Sequence, residues 1–174
     1  MTRASPRAAR GAERHAKRHA APRTQRHAER HAVHVTGEGV RAAVSATRLA
    51  DLVRFVLKAE RIPSAVVSLT LVTAPHMARL NRRHLGHRGA TDVITFALGD
   101  DGAGRMVADL YVCPAVARTQ ARAWRVGVRE ELARLVVHGT LHACGWDHPV
   151  DIAREASPMW VRQETLLARW LAAA

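Results

Sequence analysis

The sequence predicts a small α+β domain. Three observations carry this. The chain has 174 residues, 48% of them hydrophobic, which suits one domain with an ordinary core. Three segments are β-branched and aliphatic over strand lengths. The segments between and after them repeat their apolar residues at helical spacing. Strands and helices are interspersed, so the expected architecture is a small mixed sheet packed with helices.

From Met1 to about His31 the chain varies on runs such as AERHAKRHA and contains no Leu, Ile, Phe or Trp. Such a stretch buries almost nothing and cannot offset the entropy of ordering. Residues 1–34 are therefore expected to form a basic, disordered arm, and residues 35–174 a single metal-binding domain. The arm holds His15, His19, His27, His31 and His34, some at i, i+4 spacing. Without packed surroundings to orient them, they read as a solvated leader rather than a metal site.

The folded body is expected to begin near Val40, with a further short strand admissible near residues 33–35. Val44, Leu49, Leu52, Val53, Val56 and Leu57 mark an amphipathic helix over 41–60, ended before Pro63. AVVSLTLV (65–72) is a strand. Thr73 and Pro75 start a second helix that runs to Gly86. TDVITFAL (91–98) and RMVADLYVC (105–113) are strands, and the turn-rich GDDGAG between them predicts an antiparallel hairpin. Pro114 opens a helix to about Arg125, Val128–Ala143 forms another, and a last one follows Ser157–Pro158. Trp124, Trp146, Trp160 and Trp170 are expected in the core or at helix contacts rather than as base-stacking platforms.

Lys and Arg total 27 against 15 Asp and Glu, a net charge of +12. Residues 1–34 hold nine Lys/Arg and two acidic residues, 9 − 2 = +7, which leaves +5 for the body. That balance favours polyanions such as RNA. Cys113 and Cys144 are too few for a disulfide scaffold. No apolar run approaches the roughly 20 residues of a membrane span, and the Arg/Ala/His-rich first residues lack the apolar segment of a secretory signal. The expected setting is the cytoplasm, with no membrane role.

The segment VVHGTLHACGWDH (136–148) holds the candidate chemistry. His138 and His142 are four residues apart, one turn apart on one helix face. Gly145 can take the left-handed backbone that ends a helix and turns the chain, returning His148 towards the pair. Three imidazoles with a fourth position open suit a catalytic zinc site, where a bound water loses its proton near neutral pH. One Zn2+ per chain is expected, although nickel, copper and cobalt also suit three imidazoles. Cys144 lies off the face of the histidine pair and reads as a small apolar filler. The spacing also matches the extended zinc-peptidase pattern, which places Glu after the first histidine as base. Gly139 stands there and cannot act as one, which points to another kind of hydrolase.

HGTLHACGWDH reproduces H-G-x-L-H-x-x-G-x-D-H, and in this the chain resembles the YbeY-type endoribonucleases, a metal-dependent family linked to ribosomal RNA maturation. LNRRHLGHRGATDVITF (80–96) resembles the family's L-N-x-x-Y-R-x-x-x-x-P-T-D-V-L-S-F block, and ADLYVC (108–113) its G-D-I-x-I-x strand. The resemblance covers roughly residues 75 to 170. It implies a zinc-hydrolase-like fold with the metal-binding helix lining the cleft. It also implies His138, His142 and His148 as zinc ligands, with Asp147 beside them as a further catalytic residue. Asp147 either orients an imidazole, receives a proton from water, or caps the turn before His148. Thr91 and Asp92 either shape the cleft or bond local backbone, and Asp109 also falls at a family strand position.

Leu85 stands where the family has arginine, His84 where it has tyrosine, and Ala90 where it has proline. A leucine cannot bind phosphate as a guanidinium does. Arg82, Arg83 and Arg88 surround the gap and are the candidate phosphate contacts, with His87 nearby. The implied activity is hydrolysis of phosphodiester bonds in single-stranded RNA, in maturation of the small-subunit ribosomal RNA 3′ end and ribosome quality control. RNA and the ribosome are the implied partners, with no obligate protein partner. Two alternatives stay open: a non-catalytic ribosome- or RNA-associated protein with a structural metal site, and a zinc peptidase-like hydrolase.

Overall fold

Alternation of apolar residues along two adjacent strands sets the core face of the sheet. β2 (Ala65–Leu71) buries Ala65, Val67, Leu69 and Leu71, and β4 (Met106–Val112) buries Ala108, Leu110 and Val112. With β1 (His31–Gly37) and β3 (Val93–Asp100) they form one four-stranded sheet in the order β1-β2-β4-β3. β1 and β4 run parallel to β2, and β3 runs antiparallel to β4. The structure is a computed structural model and describes residues 30–37, 39–149 and 155–173. Its register stacks Val33, Val67 and Ala108 in one row and Val35, Leu69 and Leu110 in the next. The α+β expectation with a mixed sheet holds.

The expected hairpin joins β3 to β4. Asp100 and Asp101 close it by accepting the amides of Gly102 at 2.7 Å and Ala103 at 3.0 Å, the local bonding that makes aspartate a turn residue.

The described residues form five helices: α1 (Ala46–Ala59), α2 (Ala74–Leu85), α3 (Pro114–Trp124), α4 (Val128–Ala143) and α5 (Pro158–Ala172). Ser45, Thr73 and Ser157 cap α1, α2 and α5 by accepting the amides of Arg48, His76 and Trp160. Pro75, Pro114 and Pro158 each sit in a first turn, where a missing N–H costs nothing. α4 is the central helix, touching α1, α3, α5, β3 and β4. Leu132, Leu135, Val136, Val137 and Leu141 are all buried there, which explains why its sequence lacks a clean polar face.

β1 begins at His31, inside the stretch expected to belong to the arm and ahead of Val40. Two valines suffice at this position because β2 offers a ready edge. Val33 is buried beside Val67, and the Ala65 amide and Ser64 hydroxyl both donate to the Arg30 carbonyl. His31 and His34 are therefore strand residues, while His15, His19 and His27 lie outside the described residues. Trp124 also departs from expectation: it is 60% exposed at the end of α3, not in the core. Trp170 does pack as expected, its ring 5.5 Å from that of Phe55.

Candidate metal centre

α4 presents His138 and His142 one turn apart, with ring centroids 4.6 Å from each other. The helix then ends as its glycine predicts. Gly145 takes φ +91, its amide donates to the His142 carbonyl, and the Trp146 amide donates to the Leu141 carbonyl. This pair of bonds is the Schellman cap, which reverses the chain. His148 returns to place its Nε2 3.3 Å from Nε2 of His138, while Nε2 of His142 lies 3.1 Å from that same atom.

The opposite ring nitrogens fix the tautomers. Nδ1 of His142 donates to the Trp146 carbonyl at 2.9 Å, and Nδ1 of His148 to the Pro149 carbonyl at 2.8 Å. Nδ1 of His138 donates to Oε1 of Gln163 at 2.7 Å, and that amide is oriented because its Nε2 donates to Glu164. Each Nε2 thus turns its lone pair towards the other two, an arrangement that a shared cation relieves. The ligand atoms all lie within 4.8 Å of one another. Tetrahedral zinc with nitrogen bonds near 2.05 Å needs its ligands about 3.3 Å apart, so the donor set and its spacing fit such an ion.

Residues beyond the three histidines hold this geometry, Gln163 and Glu60 among them without having stood out in the sequence. Gln163 is buried on the apolar stripe of α5 with Met159, Leu166 and Leu167. Its signal was a polar residue in a run of core positions. Trp146 is pinned through its indole N–H, which donates to Glu60 at 2.9 Å, and Glu60 in turn pairs with Arg162 at 2.8 Å. Gly139 lets α4 lie against β3: a Cβ there would meet Thr95 Oγ1 and Val93 Cγ2 at 3.0 Å. The Thr95 hydroxyl uses that approach to donate to the Gly139 carbonyl at 3.1 Å. A peptidase glutamate has no room here.

The histidines face a cleft of about 580 Å³ whose walls include Leu85, Asp92, Thr95 and Asp147. Asp147 caps the turn, accepting the His148 amide at 2.8 Å. Asp92 accepts the Val93 amide, the Thr91 hydroxyl and Nε2 of Gln120. Burial pushes its pKa up, but these bonds outweigh burial and hold the carboxyl below its usual range. Cys144 packs at the core edge, and burial, with the Glu60 charge adding to it, pushes its thiol up to about 12. It stays protonated, as a filler does.

Arg82 and Arg88 line a separate depression with Arg79 and Gly89. Arg83 is exposed on α2. None of the three arginines lines the histidine cleft, so Leu85 is not replaced within it. His84 takes up aromatic packing on Phe96 at 5.0 Å. Asn81, buried, ties the loop after α2 by donating to the Gly89 carbonyl at 2.9 Å.

The family model described as Endoribonuclease YbeY matches residues 23–171. The chain belongs to the YbeY family. An Endoribonuclease YbeY from Frankia alni is 39% identical over 151 residues, covering 79% of this chain and 82% of that protein. One from Mycobacterium ulcerans is 35% identical over 140 residues, covering 74% and 78%. The solution structure of TM1509 from Thermotoga maritima has a similar fold, with a TM-score of 0.56 at 27% identity over 81% of this chain and 90% of that one. YbeY membership thus rests on most of the chain, not on the histidine motif alone. No helix among the described residues is long and apolar enough to cross a membrane.

Proposed function

We propose that this chain is a zinc-dependent endoribonuclease that hydrolyses phosphodiester bonds in single-stranded RNA. The observation that carries this is the convergence of three Nε2 atoms, each fixed by a bond at Nδ1, at the floor of an open cleft. His138, His142 and His148 would hold one Zn2+. When bound, the ion supplies a Lewis acid for a phosphoryl oxygen and acidifies water.

The chain's own residues do the rest. The Gln163, Trp146 and Pro149 oxygens keep each imidazole in the ligating tautomer. Asp147, on the cleft wall, receives the proton from the attacking water while its other contact holds the turn. Arg82 and Arg88 neutralise phosphates flanking the scissile one, since their depression lies outside the cleft, and Arg83 adds to the same basic surface. Leu85 presents an apolar rim where ribose and base can rest. Unpaired RNA is the form whose backbone can be drawn into such a cleft past the histidines. Family membership supports ribosomal RNA as target, with maturation of the small-subunit 3′ end, ribosome quality control and the cytoplasm as the setting.

One observation favours a second reading. Leu85 leaves the cleft without a guanidinium among the described residues, which suits an RNA-associated protein whose metal is structural. Purified wild type and His142→Ala, assayed on a ribosomal RNA fragment with metal content measured on both, separate the two. Cleavage with about one equivalent of zinc, both lost in the variant, supports the enzyme. Zinc without cleavage in the wild type overturns it in favour of the binding protein.

A further inference from the structure

A cavity of about 490 Å³ lies between the starts of α1 and α4 and the end of α5, and it shares no wall residue with the metal cleft. Its size falls within the roughly 300–1,000 Å³ of small-molecule sites, enough for one nucleotide. The floor is apolar, built from Val44, Leu49, Leu52, Ala133 and Leu171. Leu171 is 41% exposed, so part of that floor lies open to an occupant. Two guanidiniums, those of Arg48 and Arg129, stand in the wall, and no carboxylate does among the described residues.

Both arginines are exposed, and the acidic residues near them on their helices are engaged elsewhere. Asp51 pairs with Arg54 at 2.9 Å, while Glu130 and Glu131 both turn to Arg134. The two positive charges therefore meet at the cavity without a carboxylate to offset them. Arg48 is also held in place. Its guanidinium lies over the Trp170 ring, 5.4 Å from the centroid, and Phe55 supports that ring from 5.5 Å. Stacking orients the guanidinium plane and leaves its N–H edge for an oxyanion. A bare phosphate would use the arginines and leave the floor empty. A nucleotide uses both, its phosphate on the guanidiniums and its base on the apolar surface.

We propose that this cavity is an RNA exosite, which holds one unpaired nucleotide of the substrate away from the bond being cleaved. Arg129 stands nine positions before His138 on α4, about 14 Å along the helix, so a strand of several nucleotides links the exosite to the metal cleft. The apolar floor takes any base, and the site adds grip without sequence choice. The inference takes its ligand class from the endoribonuclease reading.

Fluorescence anisotropy of a labelled, unpaired RNA tests this, titrated with the full chain carrying His142→Ala so that the RNA stays intact. Arg48→Gln together with Arg129→Gln, both at exposed positions that do not threaten folding, should weaken binding about tenfold. The same pair should lower the slope of log affinity against log salt by about 0.7, the share of one phosphate. Arg118→Gln together with Arg122→Gln removes equal charge from exposed positions on α3 and should leave affinity and slope nearly unchanged. In RNA cleavage by chains that keep His142, the Arg48 and Arg129 pair should raise KM and leave kcat alone, because it touches no reacting atom. An equal loss from the α3 pair, or no loss from the Arg48 and Arg129 pair, overturns the exosite. So does uridine 5′-monophosphate that binds as tightly as the RNA and is lost in the same pair, which marks a site for free nucleotides. Binding needs no hydrolysis, so a selective loss of affinity without cleavage by the wild type sinks the enzyme reading and leaves the exosite standing. Cleavage without a selective loss does the reverse.

Discussion

Gln163 shows how a residue remote in sequence governs a ligand. It is buried, and its carbonyl sets the tautomer of His138. Gln163→Leu keeps the size but removes the acceptor, and zinc affinity should fall roughly 10–100-fold; competition with a zinc-binding dye reads this directly. Asp92 makes a second prediction at this scale. Its native pKa lies below the ordinary 3.8, so folding favours the ionised carboxylate. The resulting stability is present above pH 3.8 and is lost as pH falls through the lower native value. Urea midpoints measured against pH should drop steeply for the wild type in that window and more gently for Asp92→Asn. The histidines were legible because helix periodicity and one glycine suffice to bring them together. Gln163 was not, because its bond spans 25 positions and depends on how α5 lies over α4.

Elements were readable wherever local chemistry decides them. Ser45, Thr73 and Ser157 announce three helix starts, and aspartates with glycines announce the hairpin. The strand admitted near residues 33–35 is β1, but its full extent and the exposure of Trp124 escaped for the same physical reason: what orders or exposes them is a neighbour elsewhere in the chain. Two valines become a strand only because β2 accepts them, and Trp124 stays exposed because α3 ends there. The approach of α4 to β3 is also set by one residue. Gly139→Ala gains helix propensity, up to about 1 kcal/mol, but drives a methyl into Thr95, Val93 and Leu110. Overpacking of about 1–3 kcal/mol should win, so thermal or urea unfolding should show a less stable protein. An unchanged midpoint would mean that β3 yields freely.

For the whole molecule, charge is the property read most directly from sequence: +12 in total, +7 of it in residues 1–34. RNA affinity should therefore fall steeply as salt rises. Deleting residues 1–29 should reduce the slope of log affinity against log salt by about 0.7 for each phosphate that the leader neutralises in the full chain. Filter binding across a salt series measures both slopes, and equal slopes would show that the leader does not touch RNA. The placement of Arg82 and Arg88 in their own depression could not be foreseen, since it depends on the loop that Asn81 ties down.

The three converging histidines all come from residues 138–148. Only short loops must close to gather them, and short loops carry little closure entropy. The unfolded chain therefore keeps part of the site's affinity, and an ion bound by both states stabilises the native one only by the difference. Zinc should raise the melting temperature less than it would from ligands on distant strands.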